Sequence, residues 1–309
     1  MSAIPISWWV AFNVFVIAML ALDLGVFHRR AHVVSMKEAL GWSAFWITMA
    51  LAFNAWLFQA LGPQKGTEFL AGYLIEKSLS VDNVFIFAVL FTYFGVPAQY
   101  QHKVLFWGIF GALAMRAAMI FAGVALITHF AWFTYVFAVF LVMTGIKLLF
   151  ENHASIDPEK NIALRLLRTA MPVTKEYHGQ KFFVSEGGKF AATPMFVVLL
   201  CIEVTDLIFA VDSIPAVFAI TQDTFIIYTS NVFAILGLRA LYFALSGILP
   251  YFQFLKYGFG VILCFVGVKM SLAHSPWKIG TPTSLGVVAG ILAISIAASV
   301  IRRRLFASR

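Results

Sequence analysis

The sequence has little charge for its length. Charged residues make up 12% of the 309 residues, and hydrophobic residues make up 61%. A soluble globular protein carries about 25% charged and about 45 to 50% apolar residues, so an ordinary soluble domain is excluded. Apolar runs recur along the whole chain at about 20 residues, the length at which an α-helix crosses the hydrocarbon of a bilayer. A β-barrel would instead alternate polar and apolar residues in segments of about ten. The sequence therefore predicts an all-α polytopic membrane protein.

Cysteine and histidine are scarce where a disulfide or a soft-metal site would need them. The two cysteines, Cys201 and Cys264, lie in separate apolar runs. We expect them to be small core residues, and we expect neither a disulfide framework nor a cysteine-rich metal site. All seven histidines fall in loops or near the ends of apolar runs. A metal site inside the membrane would therefore have to use oxygen ligands.

Nine apolar segments predict transmembrane helices. They are residues 6–27, 38–61, 67–94, 103–127, 130–150, 192–221, 225–248, 250–273 and 280–301. The first segment is expected to be a span and not a removable signal, because no Lys or Arg precedes it. The long connection, residues 151–191, is expected to form an interfacial helix over 159–170 and a surface hairpin turning at Gly187-Gly188. A regulatory or partner-binding role for this loop remains the alternative.

Basic residues fall almost entirely on one side of these spans. When the loops are assigned to alternate sides, 15 Lys and Arg residues lie on one side, and only Lys65 and Lys278 lie on the other. Because basic loops stay in the cytoplasm, we predict an outside N-terminus and a cytoplasmic C-terminus. This topology also accounts for the net charge of +8, so no nucleic-acid partner is expected.

The chain also contains an internal repeat. Residues 76–83 match residues 206–213, Arg116 corresponds to Arg239, and residues 139–147 match residues 261–269. Each unit holds three spans, and an odd number makes the second unit enter the membrane from the opposite side. The sequence therefore predicts two inverted three-helix repeats, an arrangement that places transporter sites at the midplane. Repeat A covers residues 67–150, repeat B covers 192–273, and a final span covers 280–301.

Six of the 14 acidic residues lie within predicted spans. They are Asp23, Glu76, Asp82, Glu203, Asp206 and Asp212. A charge at mid-bilayer costs roughly 2.5 to 3.5 kcal/mol on insertion scales, so such residues are functional candidates. Asp23 lies at the cytoplasmic end of its span, and we expect it to be a boundary residue. The other five lie on the third and sixth spans.

Neutral oxygen atoms accompany these acids. Pro215 cannot donate a hydrogen bond to the carbonyl of Val211, so we expect the sixth span to kink or unwind there and to free that oxygen as a ligand. The neighbouring side-chain oxygens belong to Ser80, Asn83, Thr205, Ser213 and Asn231. A site made of carboxylates and neutral oxygens suits Mn²⁺, Mg²⁺ or Ca²⁺ better than Zn²⁺ or Cu⁺.

The alternative interpretation is that the acids only pair with cations in the spans. These cations are Lys77, Arg116, Lys147, Arg239 and Lys269. Lys147 and Lys269 lie near the ends of their spans, and we expect both to snorkel. Two roles stay open for Arg116 and Arg239: counter-ions that hold an empty site together, or plain structural pairs.

The acid-bearing motifs closely resemble those of the TerC family, in particular its bacterial Alx branch. The matching segments are residues 73–85, 203–216, 229–240 and 284–288, and the likeness covers nearly the whole chain. The resemblance implies a multi-pass protein of the bacterial inner membrane, in the wider lysine-exporter-like superfamily, with links to Mn²⁺ efflux and, by name, to tellurite resistance. By matching motif it also implies a metal site. The ligands would be Glu76, Asp82, Glu203, Asp206 and Asp212.

Three functions follow from these observations. In the first, the carboxylates of both repeats bind dehydrated Mn²⁺ and the repeats rock to expose it to either side, with protons as the exchanged ion. In the second, which the resemblance implies, the protein supplies metal to exported enzymes without turnover transport; a secretion-machinery partner and a homo-oligomer stay open. The third, an intramembrane aspartyl protease using Asp82 and Asp212, is disfavoured because the expected Gly-x-Gly-Asp sequence is missing. We therefore expect no enzyme activity.

Overall fold

The computed structural model describes residues 4–22, 34–130, 132–150, 167, 169, 171–174, 176–186, 189–245, 254–272, 275, 277 and 279–307. Within them the elements are α1 (Ile6–Leu22), α2 (Met36–Ala60), α3 (Pro63–Tyr93), α4 (Ala98–His129), α5 (Phe133–Phe150), β1 (Phe183–Glu186), β2 (Lys189–Ala192), α6 (Pro194–Phe218), α7 (Thr224–Leu236), α8 (Leu238–Leu245), α9 (Leu255–Ser271) and α10 (Thr281–Ala307). Except for the short hairpin β1–β2, this part of the chain is helical. The prediction of an all-α membrane protein is confirmed.

Within the described ranges, six stretches are long and apolar enough to cross a bilayer: α2, α4, α5, α6, α7 together with α8, and α10. Helix α3 has 31 residues, more than a bilayer requires, but its interior carries Glu76, Lys77 and Asp82. Shorter apolar stretches lie in α1 and α9. The described helices therefore agree in order and position with the predicted spans.

The seventh predicted span is broken into two helices. Helix α7 ends at Leu236, Gly237 forms its C-cap, and α8 begins at Leu238. In the sixth span a kink or an unwinding is predicted at Pro215, and the unwinding does not occur. Helix α6 runs from Pro194 to Phe218 with Pro215 inside it, because one missing N–H removes a single backbone hydrogen bond.

Helices at matching positions of the two sequence repeats pack on each other. Two contacts join the repeats crosswise: α3 packs on α7, and α4 packs on α6. Two further contacts join equivalent helices: α3 packs on α6, and α5 packs on α9. A Cβ atom on Gly145 would lie 2.7 Å from the carbonyl oxygen of Gly260, and one on Gly267 would lie 2.7 Å from that of Ala138. Ala138 and Gly260 precede these glycines by about two helical turns in their own repeats. The contact is therefore reciprocal, as a two-fold relation between the repeats requires.

One of the two predicted snorkelling lysines is buried instead. Lys147 on α5 is exposed, as expected. Lys269 on α9 is only 6% exposed, so the prediction for this residue is wrong. The reason is packing, since α9 is covered by α5 on one side and by α10 on another.

The described part of the long loop packs on the turn between α3 and α4. Strands β1 and β2 pair antiparallel up to Glu186 and Lys189, so the predicted hairpin forms, although Gly187-Gly188 itself lies outside the described residues. The Tyr177 hydroxyl donates to the carbonyl of Phe94 at 2.8 Å, and Lys103 Nζ donates to the carbonyl of Gln180 at 2.8 Å. These contacts place the α3–α4 connection and the long loop on the same side of the helices, as the alternation of spans requires. Apart from residues 167 and 169, the predicted helix over 159–170 lies outside the described residues.

Candidate functional site

Two of the five candidate acids meet at the crossing of α3 and α6. Glu76 on α3 is fully buried, and Asp206 on α6 is 1% exposed. They occupy equivalent positions in the two repeats, at the start of the matching motifs. Two carboxylates at this depth need a positive partner, because an unpaired buried charge is strongly disfavoured.

Arg116 of α4 is that partner. Its Nε donates to Asp206 Oδ2 at 3.2 Å, and its second terminal nitrogen donates to Asp206 Oδ1 at 3.3 Å. The other terminal nitrogen donates to Glu76 Oε1. One guanidinium group, itself 2% exposed, therefore joins an acid of repeat A to an acid of repeat B. The two-pronged contact with Asp206 uses the planar fork that distinguishes arginine from lysine.

Three neutral side chains complete this cluster. Asn83 donates to Asp206 Oδ1 at 3.0 Å. Arg116 also donates to Ser213 Oγ at 3.2 Å and to Asn231 Oδ1 at 3.1 Å. Asn83 and Ser213 are themselves equivalent in the repeats. We call the six residues the Arg116 cluster: Glu76, Asn83, Arg116, Asp206, Ser213 and Asn231.

Some oxygen atoms of the Arg116 cluster remain available to a ligand. Glu76 Oε2 and Asn83 Oδ1 are buried and have no hydrogen-bond partner among the described residues. A buried polar atom without a partner is costly, so it marks a place where an ion or a water can bind. A void of about 10 Å³ reaches Asp206 between apolar side chains, which is at most the room for one water molecule. The Arg116 cluster thus offers oxygen ligands, and this void beside Asp206 is too small for a hydrated ion.

Other predicted supporting residues serve their own helices. The Ser80 hydroxyl donates to the carbonyl of Glu76 at 2.8 Å, and the Thr205 hydroxyl donates to that of Cys201 at 2.7 Å. The Val211 side chain is exposed on the outer face of α6, and its carbonyl lacks the N–H that Pro215 cannot supply. Arg239 is buried on α8, two residues after the break in the seventh span.

Glu203 lies outside the Arg116 cluster. It is three residues before Asp206 on α6, and its carboxylate lies against Gly111 of α4, where no side chain intervenes. Its Oε2 is buried and has no hydrogen-bond partner among the described residues. Tyr73 occupies the equivalent position in repeat A, so the acids of the two repeats are not symmetric.

Three predicted acids cannot be placed by their side chains. Asp82 and Asp212 lie on α3 and α6, one residue before Asn83 and Ser213, but their side chains lie outside the described part of the structure. Asp23 lies outside the described residues altogether. Among the groups that are described, no three His, Cys, Asp or Glu side chains form a metal-binding cluster. The complete set of five carboxylates therefore stays a prediction.

Lys77 has a role that sequence reasoning missed. Its Nζ donates to the carbonyl of Ala234 at 3.3 Å, and it lies close to Gly237, where the seventh span breaks. The last carbonyls of a helix have no intrahelical donor and carry partial negative charge. Lys77 thus caps the end of α7. Gly237, in the segment 229–240, could have indicated that a helix ends at this point, because glycine is common at the C-terminal ends of helices.

A second polar cluster ties the repeats together near the start of α3. Lys65 Nζ lies 3.0 Å from Glu68 Oε2 and 3.0 Å from Asp223 Oδ2, and Thr221 donates to Glu68 Oε2 at 2.6 Å. Burial by itself would lower the pKa of Lys65, but hydrogen bonds and charges from Asp223 and Glu68 outweigh it and raise the pKa above its ordinary value. Asp223 also caps the N-terminus of α7. This cluster joins repeat A to the α6–α7 connection, at the end of α3 away from the long loop.

The comparisons with known proteins agree with this architecture. The Integral membrane protein TerC family matches residues 61–306. An uncharacterized membrane protein of Myxococcus xanthus is 53% identical over 296 residues, with 96% of this chain and 92% of that protein covered. Alx of Salmonella typhi, whose name proposes a membrane-bound redox modulator, is 48% identical over 297 residues, covering 93% and 92% of the two chains.

Alx of Escherichia coli K12, which carries the same name, is 46% identical over 296 residues, again covering 93% and 92%. No solved structure matches. The family match begins at residue 61, so it includes α3 to α10 with the whole Arg116 cluster, whereas α1 and α2 precede it. Because this match and the relatives each cover most of the sequence, the chain belongs to the integral membrane protein TerC family.

Proposed function

We propose that the protein is a divalent cation transporter of the bacterial inner membrane, with Mn²⁺ as its substrate. The observation that carries this proposal is the convergence of Glu76 and Asp206, equivalent acids of two repeats, on one buried guanidinium. Acids within a membrane are expensive and mark ion pathways. A site shared between repeats is also the arrangement in which their relative motion can open it to either side.

The ligand chemistry favours a hard divalent ion. The available ligands are carboxylate, amide and hydroxyl oxygens, and oxygen-rich sites suit Mg²⁺, Ca²⁺ and Mn²⁺. In the proposed mechanism Glu76, Asp82, Glu203, Asp206 and Asp212 bind the dehydrated ion, and Asn83, Ser213 and Asn231 supply neutral oxygens. Protons that replace the ion on these acids would make the exchange proton-coupled, because metal binding requires deprotonated ligands.

The names of the Alx relatives propose a redox role, and the cysteines of this chain bear on that idea. Cys201 is buried on α6 and Cys264 is half-buried on α9, and neither forms a disulfide within the described part of the chain. They belong to different helices and contribute nothing to the Arg116 cluster. The proposed function therefore rests on the acids.

Reconstituted protein provides the direct test. Purified protein in sealed vesicles, with an outward or inward pH gradient imposed, is expected to accumulate Mn²⁺ in the direction that proton exchange drives. Vesicles without protein and vesicles containing the Asp206→Asn variant are the controls. Saturable binding of Mn²⁺ without accumulation under either gradient would contradict transport and would favour the metal-delivery function.

Orientation gives a second test. A reporter fused after Arg304 is expected to lie in the cytoplasm, and one fused before Ser2 is expected to lie in the periplasm, because 15 of the 17 basic residues outside spans fall on the side of the C-terminus and basic loops are retained there. Paired alkaline phosphatase and fluorescent protein fusions measure this. A periplasmic C-terminus would refute the orientation and the odd number of spans.

A further inference from the structure

The Arg116 cluster has a cation where the substrate would have to bind. Arg116 donates to Asp206 through two nitrogens and to Glu76 through a third contact. The guanidinium thus covers three of the four carboxylate oxygens of the two acids. An incoming cation that uses Glu76 and Asp206 cannot do so while Arg116 holds them.

We propose that Arg116 is a tethered substitute for the transported cation: it offsets one of the two negative charges of Glu76 and Asp206 when the site is empty and is displaced when the substrate binds. This inference rests on the proposed transport function and concerns how the same site is regulated. The polar surroundings favour an exchangeable contact, since Ser213 and Asn231 also accept from the terminal nitrogen that contacts Glu76. They offer the guanidinium alternative partners within the same cluster.

The replacement of the transported cation by Arg116 would help the empty site to reorient. A transporter must return its empty site across the low-dielectric interior, and bare carboxylates would oppose that step because buried unpaired charge is costly. While Arg116 is bound to Glu76 and Asp206, its positive charge moves together with these acids and offsets part of their negative charge. The loaded site and the Arg116-occupied site are then both able to reorient, whereas an empty site without Arg116 is not.

The position of Arg116 suits this role. Arg116 lies within the unbroken helix α4, so its side chain approaches the α3–α6 crossing from a rigid support. Arg239 follows the break at Gly237, where Lys77 caps the preceding helix. Arg116 thus joins an acid of each unit from an unbroken helix.

The test separates binding, exchange and net transport in the Arg116→Gln variant. Mn²⁺ affinity of detergent-solubilised protein is measured by calorimetry, and reconstituted vesicles are assayed for net uptake and for exchange of labelled against unlabelled Mn²⁺. If Arg116 is displaced from the two acids in about a tenth of the wild-type molecules, only that fraction can bind Mn²⁺, and removing Arg116 raises the Mn²⁺ affinity by about tenfold. We expect tighter binding and retained exchange, with net uptake reduced about tenfold or more because the empty site cannot return.

Arg116→Lys and Arg302→Gln complete the design. Lysine keeps the charge but lacks the planar fork with which Arg116 contacts both oxygens of Asp206 while also reaching Glu76, so affinity is expected to rise by a smaller factor; this variant decides the question if Arg116→Gln does not fold. Arg302 is exposed near the end of α10 and should leave all three readouts unchanged. Unchanged or weaker affinity, or equal loss of exchange and net uptake, would overturn the role of Arg116. Binding without transport in the wild type would instead refute the proposed function, while the affinity comparison would still test the competition.

Discussion

Asp206→Asn is expected to abolish Mn²⁺ transport and to destabilise the protein. The substitution keeps the shape of the side chain but removes the charge that pairs with Arg116 Nε at 3.2 Å. The Arg116 guanidinium keeps its contact with Glu76 but loses two hydrogen bonds to the Asp206 carboxylate, and a hydrogen bond to a charged group contributes about 1.5 to 3 kcal/mol. Transport is measured in reconstituted vesicles, and stability by thermal unfolding in detergent. The same loss of transport is expected of Asp82→Asn and Asp212→Asn.

A triple variant separates the two effects of Asp206→Asn. Adding both Glu76→Gln and Arg116→Gln removes the three described charges of the Arg116 cluster together, so none of them is left without a partner, and we expect most of the lost stability to return while transport stays absent. Glu176→Gln, an exposed acid in the long loop, is the matched control and should change neither property. Transport at the wild-type rate with unchanged affinity in Asp206→Asn would show that Asp206 is not a ligand of the substrate.

Gly145→Ala is expected to be the most damaging of the small substitutions. Its new Cβ would lie 2.7 Å from the Gly260 carbonyl oxygen and 2.8 Å from the Cys264 backbone nitrogen. Both contacts are with backbone, so no side chain can move aside and α5 must separate from α9. Overpacking of this kind costs about 1 to 3 kcal/mol. The midpoint of thermal unfolding in detergent should fall accordingly, and Gly267→Ala should produce a similar fall through Ala138.

Gly286→Ala and Gly290→Ala are the matched controls on α10. A Cβ at either position would meet nothing within 4 Å, and alanine is favoured over glycine in a helix interior by about 1 kcal/mol. Both variants are therefore expected to be as stable as the wild type or slightly more so. Equal losses in the α5 and α10 variants would show that the close approach of α5 and α9 is not what holds the repeats together.

The sequence determined the membrane architecture because the relevant physics is local. Length and hydropathy of the apolar runs predicted all-α spans, as shown by α2, α4, α5, α6 and α10. The repeat in residues 76–83 and 206–213 singled out Glu76 and Asp206, since charge is rare in apolar helices wherever they lie. It also proposed Arg116 as a counter-ion, without deciding between that role and a plain structural pair.

Only the tertiary structure decided which groups meet. Helical spacing fixes the face on which a side chain lies but not the helix that faces it, so the sequence grouped Glu203 with Asp206 while the fold brings Arg116 to Asp206 and leaves Glu203 beside Gly111. The break at Gly237 and its cap by Lys77 depend on a contact between distant spans. Burial of Lys269 likewise depends on the helices packed around α9. The composition and the hydropathy pattern of a segment can be read from that segment alone, whereas ion pairs and burial depend on how several helices pack together.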